Sequence, residues 1–141
     1  MDDPGIHDGA SERVTGAGLA PAPIQRPIPI WFGGASVSAY RRAGRLGDGW
    51  FPVVPLGPEL EKAKSIVEAA AVEAGRDPGT LGMHAQAAWG LGGVEAIAQQ
   101  ATLWREAGST HLSINTVNAG FTSVDQHLAA LAAAAEAFGL S

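Results

Sequence analysis

Gly33, Gly34, Ala35 and Ser36 stand where an apolar run ends and a helix-like segment begins, in the stretch "IPIWFGGASVSAYRRAGRLGDGW" from Ile28 to Trp50. Small residues at such a junction leave the main chain open to a ligand. Amides at a helix start point outward, backed by the positive end of the helix dipole. Ser36 and Ser38 add hydroxyls. That combination suits an anion, and a phosphate in particular. Neither G-x-G-x-x-G nor G-x-x-x-x-G-K-[ST] is present, so the dinucleotide fingerprint and the ATP loop are excluded. Two glycines also make a plain tight turn between strand and helix, and the residues alone leave both readings open.

The other polar residues offer less. His84 lies inside an apolar run and His111 starts another, so both are read as structural histidines away from the ends where barrel chemistry sits. Gln86 and Trp89 stand nearer such an end, and the tryptophan reads as packing. Asn115 and Thr116 end the last apolar run and either bond a ligand or cap a loop. Asp48 reads as a turn residue, and Arg41, Arg42 and Arg45 as a solvated basic helix face. His7 and His127 pair with no carboxylate at metal-ligand spacing. No metal site and no nucleophile–base constellation is expected, and no catalytic residue is assigned.

The elements that must position these residues repeat. Strands are expected at Ile28–Gly33, Trp50–Val54, Leu81–Ala88 and His111–Asn115. Helices are expected at Ser36–Leu46, Pro58–Ala74, Val94–Ala107 and Val124–Phe138. A glycine follows each helix: Gly47, Gly75, Gly108 and Gly139, standing 28, 33 and 31 residues apart. Glycine there closes a helix cheaply in the left-handed conformation, and the spacing is that of a repeated βα unit. Pro58 suits a first helical turn, and Ser123 with Gln126 reads as a capping box. Apolar stripes run through Val94, Ile97, Ala101, Trp104 and Ala107, and through Val124, Leu128, Leu131, Ala135 and Phe138. The strands look apolar throughout, as in a parallel sheet buried on both faces. Right-handed crossovers then bring all the C-terminal strand ends to one rim. Four such units make a small open α/β sheet or half of an eight-unit barrel. Residues 1–27, with Pro4, Pro21, Pro23 and Pro27, read as an irregular Pro/Gly-rich arm ahead of a domain over 28–141.

Length and composition bound the rest. A chain of 141 residues suffices for one domain with a core. A net charge of −5 argues against nucleic acid as a main partner. The absence of cysteine removes disulfides and thiolate metal sites. No apolar run is long enough for a membrane span and no signal segment opens the chain, so a soluble, cytoplasmic protein is expected.

Two blocks carry a resemblance. "PIQRPIPIWFGGASVSAYRRAGRLGDGWFPV" resembles the C-terminal half of the luciferase-like monooxygenase family, in its branch that uses the deazaflavin coenzyme F420. "AGSTHLSINTVNAGFTSVDQHLAAL" is similar to that family's last strand and helix, and the resemblance covers about residues 19 to 138. It implies a fold class: α/β, with four βα units forming the C-terminal half of a TIM (β/α)8-type barrel. It implies coenzyme F420, with FMN as the alternative, and Gly33, Gly34, Ala35 and Ser36 at the coenzyme phosphate. It implies hydride transfer, as an oxidoreductase or monooxygenase acting on a small molecule. Members are about twice this length, and strands one to four have no counterpart here, so the chain is expected to be incomplete alone. The alternative is a non-catalytic half-barrel that dimerises or pairs with a complementing half, or an inactive gene fragment. A complete open α/β domain binding another phosphate compound is the third reading.

Overall fold

Proline decides where the sheet begins. The computed structural model describes residues 7–8, 13–14, 21 and 23–140. The first strand of the main sheet, β1, is Trp31–Gly34 and not the expected run from Ile28. Pro27 and Pro29 have no amide to give to a ladder. Ile28 and Ile30 accordingly stay more than half exposed. The other strands are β2 (Gly49–Pro52), β3 (Gly82–Ala88) and β4 (His111–Asn115). Between and after them lie α1 (Val37–Leu46), α2 (Pro58–Glu73), α3 (Gly93–Glu106) and α4 (Val124–Ala137). A 3-10 turn at Pro78–Thr80 leads into β3. All neighbouring pairs in the order β1-β2-β3-β4 are parallel, so the C-terminal ends share one rim. The result is an α/β half-barrel. The arm expected over 1–27 falls mostly outside the described residues; within it, His7–Asp8 pairs antiparallel with Arg13–Val14.

The local signals act as their chemistry requires. Pro58 opens α2, and Ser123 and Gln126 form a reciprocal capping box on α4. Gly75, Gly108 and Gly139 take positive φ after their helices. Gly47 does not: its φ is −84°. It is glycine for want of room, because a Cβ there would stand 2.8 Å from the Ala43 carbonyl oxygen and 2.9 Å from the Phe32 ring.

The helices cover one face of the sheet only. Phe32, Trp50, Met83, Ala85 and Leu112 pack with Tyr40 and Ala43 of α1, Leu60, Ala63 and Val67 of α2, and Trp104 of α3. A smaller cluster joins Ala87, Ile97 and Ala134. Leu60, Val67 and Ile97 are fully buried, and each such burial contributes about 1.5–3 kcal/mol. α1 and α2 meet closely because Gly44 has no side chain: a Cβ there would stand 2.9 Å from Ala70 Cβ. The Arg76 guanidinium donates to the carbonyls of Gly44 and Gly47, closing the end of α1 from across the α2 turn.

Two expectations fail on this face. Strands buried on both sides were expected, but the opposite face is uncovered. It carries Trp31, Phe51, His84, Gln86, His111, Ser113 and Asn115, in alternation with the buried set. Aromatic residues and glycines at those positions hide the alternation in the sequence. In α4 the expected stripe is also displaced. Ala130 and Ala134 are buried, whereas Val124, Leu128 and Leu131 are 71%, 58% and 40% exposed. The alanines let α4 lie close to Ala87 and Ile97, and the larger residues take the outer side.

Candidate coenzyme site

The rim end of β1 is shaped by Gly34. Its φ is +139°, a conformation that residues with a side chain rarely adopt, and a Cβ would stand 2.8 Å from Ala39 Cβ. At Gly33 the nearest atom to a Cβ is 4.0 Å away, so this glycine leaves open space. Ala35 and Ser36 then turn the chain into α1. Ser36 is the N-cap: its Oγ accepts from the Ala39 amide at 3.2 Å and lies 2.9 Å from Ser38 Oγ. The first intrahelical bond runs from the Tyr40 amide to the Ser36 carbonyl. The amides of Val37 and Ser38 therefore have no acceptor within the helix. Gly33, Ala35, Ser36, Val37 and Ser38 are all solvent-exposed. The arrangement presents two free amides at the positive end of a helix, beside a backbone bare of side chains. It suits an anionic group approaching from solvent. Arg41, Arg42 and Arg45 line a hollow with Val37, Ser38 and Leu46 on the exposed side of α1, as a basic face.

Asn115 and Gln86 come together at the other side of the rim. Asn115 Nδ2 donates to Gln86 Oε1 at 3.3 Å, and Asn115 Oδ1 accepts from the Val117 amide at 2.8 Å. Asn115 thus acts as a loop cap. Thr116 Oγ1 lies 2.8 Å from His127 Nδ1, and the His127 ring meets Phe121 edge-on, which in turn faces Trp89. No group of residues able to hold a metal ion occurs among the described residues.

The histidines gather on the uncovered face beside Trp31 and Phe51. His111 stacks edge-on to Trp31 with ring centroids 4.9 Å apart, and His84 lies 4.8 Å from Phe51 and 6.4 Å from His111. Partial burial, and then the charge of His111, hold the His84 imidazole below its usual value of 6.5. His111 Nδ1 meets Thr110 Oγ1 at 2.8 Å. Both histidines belong to an aromatic packing cluster with Trp31 and Phe51, and Phe51 is the ladder partner of Gly33, so the cluster lies across the sheet from the glycine bend. Asp48 is more than a turn residue. Its Oδ2 accepts from the Ile30 amide, its own amide donates to the Ile30 carbonyl, and its carbonyl accepts from Gly82. It ties three strand starts together. Thr110 and Gln100, which clip backbone groups of β3, carried no sequence signal.

Among described residues no helix is long and apolar enough to cross a membrane. The chain is 37% identical over 81 residues to the F420-dependent hydroxymycolic acid dehydrogenase of Mycobacterium tuberculosis (strain ATCC 25618 / H37Rv), a match covering 56% of this chain and 22% of that protein. The fold matches a solved F420-dependent secondary alcohol dehydrogenase in complex with an F420-acetone adduct. That match has a TM-score of 0.62 and 17% identity over 82% of this chain and 51% of the other. The chain thus spans about a fifth of the curated relative and half of the solved one. The family model for luciferase-like monooxygenases matches residues 3–140, nearly the whole chain, and the chain belongs to that family.

Proposed function

We propose that this chain is the coenzyme-phosphate-holding half of an F420-dependent oxidoreductase, with hydride transfer as its reaction class. One observation carries the reading. At the rim, Gly34 is held in a conformation and a space that exclude a side chain, next to two helix amides without acceptors. The names of both relatives support F420 as the coenzyme. FMN, which also bears a phosphate, is the alternative.

When bound, the deazaflavin supplies the hydride chemistry. The chain's own part is to bind and to orient. Val37 and Ser38 amides donate to the phosphate, Gly33 and Gly34 let it reach the main chain, and Ser36 holds the helix start in shape. A small-molecule substrate is part of the proposal; no residue here is assigned as its acid or base. Because the chain spans only part of its relatives, turnover is proposed for the completed barrel and not for this half alone.

A second reading has its own support. The uncovered face and the outward stripe of α4 favour a half-barrel that associates, with or without activity. Fluorescence titration with F420 and with FMN separates the readings. Binding of F420 below about 1 mM, near −4 kcal/mol, supports the coenzyme site. Gly34→Asp should abolish it, because a side chain there crowds Ala39 in a backbone conformation it rarely adopts and brings a negative charge to the bend. Binding that survives this change, or no binding of either coenzyme, overturns the proposed site.

A further inference from the structure

Each inner helix of this fold has a neighbour on both sides, but α4 and α1 each have one side bare. In α4 the bare side holds the larger residues. Val124, Leu128 and Leu131 recur at spacings of four and three, one stripe, and are exposed while Ala130 and Ala134 are buried. Ala137, on the other flank, lines a hollow with Ala98, Ala101 and Thr102 of α3, so the stripe points away from α3. In α1, Gly44 faces α2, and the opposite flank carries Ala39, Arg42 and Leu46, the last 64% exposed. The strand beside each bare flank is an edge: β1 and β4 each pair on one side only among the described residues. Such edges invite another strand.

We infer that two copies of this chain close on each other into one eight-stranded parallel barrel, the stripe of α4 in each seated on the Arg42–Leu46 flank of α1 in the other. The inference rests on the half-barrel reading and not on the coenzyme.

Three features favour a second copy as the occupant. The first is charge. α1 carries Arg41, Arg42 and Arg45 and no carboxylate; α4 carries Asp125 and Glu136 and no lysine or arginine. The two helices brought side by side are therefore of opposite charge, around an α4 stripe that is itself apolar. The second is the uncovered sheet face. Trp31, Phe51, His84, Gln86, His111, Ser113 and Asn115 include no Asp, Glu, Lys or Arg, so a second copy buries no fixed charge against itself. The third is symmetry. A two-fold axis along the barrel keeps every strand parallel and satisfies both edges of both copies at once, which closes the assembly as a dimer. The closed mouth would then hold two glycine bends, one from each copy.

The test is sedimentation of the full chain over about 1–100 μM, a range that reports association near −6 to −8 kcal/mol. Two variants accompany it: Leu128→Lys with Leu131→Lys, which sets like charge against the arginines of α1, and Leu46→Glu, which sets like charge against the acidic α4, each checked for retained helix content by circular dichroism. The expected result is a dimer that each variant weakens at least about a hundredfold, as removal of a central interface anchor does. Mixing the two variants should restore association above either alone, because the mixed dimer keeps one intact α4–α1 contact. A chain monomeric at the top of the range overturns the inference, and so does a dimer indifferent to both changes. F420 titration of the same samples keeps the outcomes apart: a monomer that binds F420 ends this inference and leaves the coenzyme reading standing.

Discussion

The indole of Trp31 occupies the space that a side chain on Gly82 would need. The two residues belong to non-adjacent strands, β1 and β3, and the ring bridges across Gly49 of β2, where a Cβ would stand 2.5 Å from it. One large residue thus fills the bottom row of the uncovered face. Gly82→Val should expel the indole or push β3 away from it, at a cost of about 1–3 kcal/mol as for other overpacked sites. Urea unfolding measures the loss, and near-ultraviolet circular dichroism should show the Trp31 environment changed. Unchanged stability would mean that the ring does not lie there.

Arg76 is the fastening between the first two βα units. Arg76→Ala removes two charge-assisted hydrogen bonds to the end of α1 and should cost about 1–3 kcal/mol. Arg76→Lys should recover less than half of that, since one ammonium cannot span both carbonyls in the fork geometry. Denaturation midpoints of the three proteins at equal pH give the comparison.

His84 makes stability depend on pH. Its folded imidazole titrates below 6.5, first because of burial and then because of His111, while Trp31 and Phe51 complete its surroundings without charge. Below 6.5 the unfolded chain therefore binds the proton more readily than the folded one. Stability should rise with pH through the window between the lowered value and 6.5, and level off above it. In the chain with His84→Gln, the loss of stability between pH 7.5 and pH 5 should be smaller. An equal loss in both proteins would assign the dependence to other groups.

Much of the fold is legible in the sequence because punctuation and period agree. Pro58, Ser123 with Gln126, and three of the four closing glycines mark helix ends by local chemistry that needs no tertiary knowledge. What failed was what only packing decides. Gly47 looks like its three counterparts but is small because Phe32 and the Ala43 carbonyl crowd it. The α4 helix has two usable stripes, and the sequence does not say that the alanines would win. The glycine bend was visible as a run of small residues at a strand–helix junction. The positive φ of Gly34 and the acceptor-free amides of Val37 and Ser38 follow from the turn geometry. Asp48 was visible as a turn residue, but its three partners are set by strand register.

Gln100 reaches from α3 to Ala88, accepting from its amide and donating to its carbonyl, both at 3.1 Å. Beyond the pairing of Trp50 with Met83, β2 gives β3 no further ladder partner, so a side-chain amide stands in for the absent strand. The end of β3 is thereby finished from within its own βα unit. The loop that follows owes nothing to β2: Trp89 and Gly92 hold its ends to the core and to α3, while its tip at Gly90 and Leu91 stands in open space and is free to vary with the scaffold untouched.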